Sequence, residues 1–227
     1  MNKPNCPINL FDVQSSQKVI GQEKFLKAFE TILTHGGYCQ GPETKELDSK
    51  LAAFSKSKHC VTCSSGTDSL ILPLMAWNVK EGDAVFVSSF TFVASAEAPA
   101  ILGATPVFVD SDPETWDMDP KDLERAIENV KKEGKLNLKA VIAVDIFGNP
   151  CDYDEIKRIA HANGMKVLSD AAQAYGSEYK GVRAGNIADM TSTSFYPTKP
   201  LACYGDGGAV FTNSDEERDL MVTGCYC

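Results

Sequence analysis

Short apolar runs recur along the chain, separated by stretches whose apolar residues fall every three or four positions. Runs at 60–63 (CVTC), 84–88 (AVFVS), 106–109 (PVFV), 139–145 (KAVIAVD), 166–169 (KVLS), 190–194 (MTSTS) and 208–212 (GAVFT) predict strands. Between most of them the spacing predicts helices. Asp119 is a good N-cap and Pro120 a good first residue for a helix over 120–130, and another runs from Asp152 to Ala162. Leu70, Leu74 and Trp77 mark a helix after the first strand. Nearer the N-terminus, Phe25, Ala28, Phe29, Ile32 and Leu33 make one apolar face of a helix over 21–35. Gly36-Gly37 and Gly41-Pro42 then break the chain, and a second helix follows with Leu47, Leu51 and Phe54 pointing inward. Pro73 and Pro99 fall inside expected helices and are expected to kink them or mark their first turns. Apolar strands alternating with helices imply an α/β fold: a largely parallel sheet covered on both faces. The organisation expected is an N-terminal helical segment, 1–40, followed by one large domain, 41–227, with no repeat, low-complexity tract or linker.

Composition narrows the functional classes. Hydrophobic content of 43% and charged content of 23% are those of an ordinary globular chain. The net charge of −9 argues against nucleic acid as a partner, and an anionic ligand would need local basic groups or backbone amides. No apolar run approaches the ~18 residues of a membrane span, and Met1–Pro7 lacks the apolar core of a signal peptide. A cytoplasmic protein without membrane partners is expected. Of eight cysteines, Cys60 and Cys63 form a CxxC, and Cys225 and Cys227 are the other close pair. The histidines, His35, His59 and His161, are scattered, so no metal site is expected and the thiols are read as free and reduced.

Four stretches carry candidate chemistry. Lys199 sits in a turn, in Ser194-Phe195-Tyr196-Pro197-Thr198-Lys199-Pro200, with no charged residue between Asp189 and Asp206. A lysine in such surroundings loses hydration, and its neutral amine is a nucleophile towards carbonyls; taken alone it is equally a loop lysine in an apolar neighbourhood. Ser64-Ser65-Gly66-Thr67-Asp68 joins the first strand to a helix, where free N–H groups and the helix dipole favour an anion and Ser65 and Thr67 add hydroxyls. Alone, it reads as an ordinary N-cap. There is no Walker A pattern and no G-x-G-x-x-G after a strand. Asp170 ends the strand at 166–169 and would face the crevice beyond the strand ends, where it could hold a cation, cap a helix, or keep a heterocyclic nitrogen protonated. Ser89-Phe90-Thr91-Phe92 follows another strand end and could set an aromatic face against a flat ring or pack in the core.

In combination these segments resemble the DegT/StrS-type sugar aminotransferases, pyridoxal phosphate (PLP)-dependent enzymes of fold type I. The resemblance rests on SSGTDSL (64–70), SSFTFVASAE (88–97), LGATPVFVD (102–110), DAAQAYG (170–176) and SFYPTKPLACYGDGGAVFTN (194–213), in that order, and runs from about residue 8 to about 220. The last segment looks closest to members that aminate the 3-position of UDP-linked 3-keto sugars. The resemblance implies a mixed, mostly parallel seven-stranded sheet, with 41–227 as the large PLP-binding domain. It implies that Lys199 bonds the cofactor and moves the proton between Cα and C4′, and that Asp170 pairs with the pyridine nitrogen. Gln173 would lie near the ring hydroxyl and Phe90 would stack on the ring, while Gly66, Thr67 and Ser194 would hold the phosphate. Glutamate would donate the amino group to PLP and a keto nucleotide-sugar would receive it, in surface-polysaccharide or related amino-sugar biosynthesis, by a homodimer. Relatives that dehydrate sugars carry histidine in place of this lysine, and Lys199 argues against that branch. Ala202 stands where glycine is usual. Family members continue into a smaller C-terminal domain, which a chain ending at Cys227 is expected to lack. The alternative expectation is therefore an inactive PLP-domain fragment or a pairing partner.

Overall fold

A computed structural model describes residues 12–225 of the chain. The N-terminal stretch 1–11 and the terminal Tyr226 and Cys227 lie outside the described residues, as does the side chain of Cys225. The backbone forms two compact units, one ending at Glu46 and the other beginning at Leu47.

The first unit holds α1 (Val13–Ile20) and α2 (Gln22–His35). Asp12 caps α1 by accepting the Ser15 N–H at 3.0 Å. Gly21, at φ +92°, turns the chain between the two helices, and Gly36, in the left-handed region, closes α2. The helix expected over 21–35 is thus present, and α1 precedes it. Neither α1 nor α2 buries a side chain fully, and Phe29 is 62% exposed.

Helix α3 (Pro42–Ser55) begins in the first unit and ends in the second. Of its three residues expected to point inward, only Leu51 is buried; Leu47 and Phe54 are exposed. Helical spacing put them on one face, but no apolar layer covers the ends of that face. Phe54 instead lies under the Arg183 guanidinium, 4.3 Å from its ring, beside Tyr175.

The second unit alternates strand and helix in the order β1 (His59–Cys63), α4 (Gly66–Ala76), β2 (Asp83–Ser88), α5 (Ala94–Ile101), β3 (Thr105–Val109), α6 (Pro120–Glu133), β4 (Asn137–Val144), α7 (Tyr153–Ala162), β5 (Lys166–Asp170), β6 (Glu178–Tyr179), β7 (Val182–Arg183), β8 (Met190–Ser194), β9 (Gly208–Thr212) and α8 (Asp215–Cys225). Seven strands form one sheet in the order β1-β9-β8-β5-β4-β2-β3. The neighbours from β3 to β8 pair in parallel, while β9 runs antiparallel to both β8 and β1. This is the mixed, mostly parallel sheet that the sequence led us to expect.

The strands are apolar on both sides because both sides are covered. Val85, Val87, Ile142, Leu168 and Val210 pack on one face with Leu70, Leu74 and Trp77 of α4 and Met221 of α8. Phe86, Val141, Ala143 and Val167 pack on the other with Leu123 and Ile127 of α6 and Ile156 and Ile159 of α7. In α6 the buried set Leu123, Ala126, Ile127 and Val130 follows the helical repeat; Asp119 caps it through the Lys121 N–H, and left-handed Gly134 ends it. Pro73 and Pro99 lie in the later turns of α4 and α5, not in their first turns. The β6–β7 hairpin was not anticipated. Its signal is the pair Lys180-Gly181, both at positive φ, which makes the two-residue turn that matches strand twist.

In β1 the side chains alternate between faces, so Cys60 joins Leu51 and Phe211 while Cys63 packs beside the opposite cluster. The two thiols of the CxxC therefore do not converge. Among the described residues no group of three or more His, Cys, Asp or Glu side chains is arranged to hold a metal ion.

Candidate active site

Chain order reverses between β2 and β4, and ligands of open α/β sheets bind beyond the carboxyl ends of strands near such a reversal. A cavity of about 550 Å³ opens there. Gly66 and Thr67 from the β1–α4 junction, Thr91 and Phe92 after β2, Val144 and Ile146 at the end of β4, and Asp170 and Gln173 after β5 line it. Ser194, Tyr196, Lys199 and Asp206, from the end of β8 and its loop, complete the wall. Six of the seven site residues expected from the sequence thus share one cavity. The seventh, Phe90, does not line it. Its ring packs against Trp116 (5.5 Å between centroids) and Phe147 (5.9 Å), and the aromatic side chains at the cavity are Phe92 and Tyr196.

The helix end that faces the cavity is bare by construction. The N–H groups of Gly66 and Thr67 lie in the first turn of α4, where no preceding turn supplies an acceptor. A Cβ on Gly66 would sit 2.6 Å from the Ser194 Cβ, so only glycine lets the α4 N-terminus approach β8 this closely. Gly208 is packed equally hard against the Ser65 carbonyl. The Ser194 hydroxyl accepts the Tyr196 N–H at 3.2 Å and retains its own proton to donate. Ser65 departs from its expected role. Its hydroxyl accepts the Asp68 N–H (3.0 Å) and donates to the Asp68 carboxylate (2.7 Å), so it is engaged in capping α4 and is not free for an anion.

Asp170 is buried at 6% exposure. Its Oδ1 accepts the Ala172 N–H (3.1 Å) and its Oδ2 accepts the Ser95 hydroxyl (2.9 Å). Ser95 is in turn 2.8 Å from the Thr91 hydroxyl, so a short hydroxyl chain leads from the cavity wall to the carboxylate. Burial pushes the Asp170 carboxyl above its ordinary range, while the Ala172 and Ser95 donors and the Lys199 charge pull it back towards the ionised form. The Ser95 partnership was missed in the sequence, because Thr91 lies in the bend before α5 (Ala94–Ile101) and Ser95 inside it, so no helical spacing pairs the two hydroxyls.

Lys199 is half-buried in a turn closed by its own N–H to the Tyr196 carbonyl (2.8 Å). The loop around it is tied at both ends, with Phe195 N–H to the Gly207 carbonyl (2.7 Å) and Cys203 N–H to the Phe195 carbonyl (2.8 Å). Its isolation from charge along the sequence does not extend through space, because Asp170 and Asp206 line the same cavity. The cavity is therefore lined by a helix N-terminus, a buried carboxylate and an amine held between tethered loop ends. These groups fit a phosphorylated pyridine carrying an aldehyde. The glycine-bared N–H groups suit its phosphate, Asp170 suits a protonated ring nitrogen, and Lys199 suits the carbonyl carbon.

A model of the DegT/DnrJ/EryC1/StrS aminotransferase family matches residues 19–226. The chain is 45% identical over 209 residues to the UDP-2-acetamido-2-deoxy-3-oxo-D-glucuronate aminotransferase of Pseudomonas aeruginosa, an alignment covering 92% of this chain and 56% of that protein. It is 38% identical over 203 residues to the UDP-N-acetyl-3-dehydro-alpha-D-glucosamine 3-aminotransferase of Acidithiobacillus ferrooxidans, covering 89% of this chain and 53% of that one. Among solved structures, a DegT DnrJ EryC1 StrS aminotransferase from Brucella abortus superposes with a TM-score of 0.92 at 41% identity, over 96% of this chain and 58% of that one. NtdA from Bacillus subtilis with bound cofactor PMP superposes with a TM-score of 0.81 at 28% identity, over 90% of this chain and 44% of that one. The chain spans about half the length of the curated relatives it matches.

Proposed function

Because the chain belongs to the DegT/DnrJ/EryC1/StrS aminotransferase family, we propose that it serves PLP-dependent transamination of a keto nucleotide-sugar. Glutamate is the amino donor in this reading, and the product enters surface-polysaccharide or related amino-sugar biosynthesis. The observation that carries it is the convergence of Lys199, Asp170, Ser194 and the bare α4 N-terminus on one cavity. The UDP-linked 3-oxo sugars in the names of similar proteins support the substrate class.

When bound, PLP supplies an electron-withdrawing ring that takes up negative charge from the reacting carbon. The chain's own groups would do the rest. The Gly66 and Thr67 N–H groups and the Ser194 hydroxyl would hold the phosphate. Asp170, whose carboxylate accepts from Ser95 and Ala172, would hold a proton on the ring nitrogen. Phe92 would cover the ring face and Gln173 would approach the ring hydroxyl. Lys199 Nζ would act as nucleophile and then as the base that carries the proton between Cα and C4′. A homodimer working in the cytoplasm belongs to the same proposal; the exposed Leu26, Phe29 and Leu33 of α2 support the dimer.

The test is visible absorbance of the purified chain with PLP, followed by borohydride reduction and peptide mass mapping. A band that reduction fixes onto the Lys199 peptide, and that Lys199→Ala lacks, is expected. A folded protein in which Lys199 remains unmodified would refute the assignment.

A further inference from the structure

Behind the cavity, on the other face of the sheet, lies a second buried carboxylate. Asp145 directly follows β4 and is 0% exposed. Its Oδ1 accepts the Cys151 N–H (3.0 Å) and the Tyr153 hydroxyl (2.9 Å), and its Oδ2 accepts the Ser169 hydroxyl (3.3 Å). Its own N–H donates to the Asp170 carbonyl at 3.1 Å. Ser169 and Asp170 are consecutive in β5, so their side chains leave opposite faces; one meets Asp145 and the other enters the cavity.

All three donors to the Asp145 carboxylate are neutral. A buried carboxylate with neutral donors alone is a costly way to join two strand ends. An asparagine could make the same contacts. What the carboxylate adds is charge.

We propose that Asp145 is a positioning residue for Asp170: its network ties the end of β4 to the end of β5, and its negative charge, across the sheet, strengthens the hold of Asp170 on a cationic ring nitrogen. This rests on the cofactor reading above. Burial, with the Asp170 charge adding to it, pushes the Asp145 carboxyl up to about 7, against the pull of the Cys151 and Tyr153 donors. The other titratable groups around it behave differently. Burial and the Asp145 charge push the Cys151 thiol and the Tyr153 hydroxyl well up, so both stay neutral near pH 7. Asp117, beyond Cys151, is raised by burial, and Asp170 and Lys199 lie on the cavity side. Asp145 therefore changes charge near neutrality, on the face of the sheet away from the cavity.

The experiment measures PLP affinity at pH 6 and pH 8 for the wild-type chain and for Asp145→Asn, with apo-protein circular dichroism alongside. At pH 8 the wild type should bind on the order of tenfold tighter than the variant, from one extra unscreened charge near the site. At pH 6, where Asp145 is protonated, the gap should close. A wild-type to variant ratio that is the same at both pH values overturns the proposal while leaving the cofactor reading intact. A wild type that binds no PLP at either pH overturns both. If Asp145→Asn does not fold, Tyr153→Phe replaces it. Losing one donor to the ionised carboxylate should move the pH dependence of affinity upward, and an unmoved profile overturns the proposal.

Discussion

Replacing Asp145 by asparagine, in the protein without added cofactor, separates the charge of this group from its hydrogen bonds. The asparagine carbonyl can still accept from Cys151 and Tyr153, and its amide can face the Ser169 hydroxyl, so packing is preserved. The proton linkage is not. In the folded chain the Asp145 carboxyl rises from an ordinary 3.8 to about 7. That rise of about three pH units, at about 1.4 kcal/mol each, corresponds to about 4 kcal/mol. The folded state binds the proton more tightly than the unfolded state, so the contribution is fully present below about pH 4. It is lost as pH rises to about 7 and is flat above that. Between pH 5 and pH 7 the stability of the wild type relative to Asp145→Asn should therefore fall by about 2 kcal/mol. Asp170, Asp117 and Asp48 are also raised by burial, but they are common to both proteins and largely cancel in the difference. Urea unfolding followed by circular dichroism at pH 5, 6, 7 and 8 gives the curves directly. At pH 8 the variant should be the more stable protein. Parallel stability curves for the two proteins would refute a buried, proton-poised Asp145, and with it the charge on which the positioning role depends.

Two further substitutions test the cavity itself. In Gly66→Ala the added methyl collides with Ser194, so α4 or β8 must shift; a loss of about 1–3 kcal/mol in urea unfolding is expected, together with at least tenfold weaker PLP binding. Phe92→Ala should weaken PLP binding about tenfold through the lost ring contact, whereas Phe90→Ala should leave it within about twofold and show up in thermal stability, because Phe90 packs on Trp116 and Phe147. Equal effects of the two substitutions on PLP affinity would contradict the arrangement.

Most of the seven strands were readable because a two-sided parallel sheet demands apolar runs, β8 (MTSTS) being the exception, and each expected stretch fell within two residues of a real strand. Helix α6 was readable from Asp119-Pro120 for the same local reason. Helix α1 was not, because its few apolar residues make no repeat and its cap, Asp12, is ordinary in sequence. Within the site, the stretches holding Gly66, Thr67, Asp170 and Lys199 stood out because each lies at or just beyond a strand end or in a turn that breaks the local pattern, whereas the roles expected of Gln173 and Ser194 came from the family resemblance alone. The choice between Phe90 and Phe92 was not available there. They are two apart, as are same-face residues of a strand, but β2 ends at Ser88 and the alternation no longer applies. Asp145 was seen only as the end of a strand. Its partners, Cys151, Tyr153 and Ser169, are brought to it by the turn after β4 and by the β4–β5 pairing, which no local pattern encodes.

Those long-range pairings also give the cavity its polarity. The α4 N-terminus carries the positive end of a helix dipole, and Gly66 brings it against Ser194 on β8. Asp170 on β5 brings a carboxylate to the same cavity, with Asp145 across the sheet behind it. A molecule with a dianionic group at one end and a protonated ring nitrogen at the other is stabilised in one orientation. Reversed, its phosphate would meet a buried carboxylate, in surroundings where charges are poorly screened. In the proposed complex Lys199, held between the tethered ends of its loop, would need to be selective only for a carbonyl carbon within reach, because the strand ends would already set which way the ring faces.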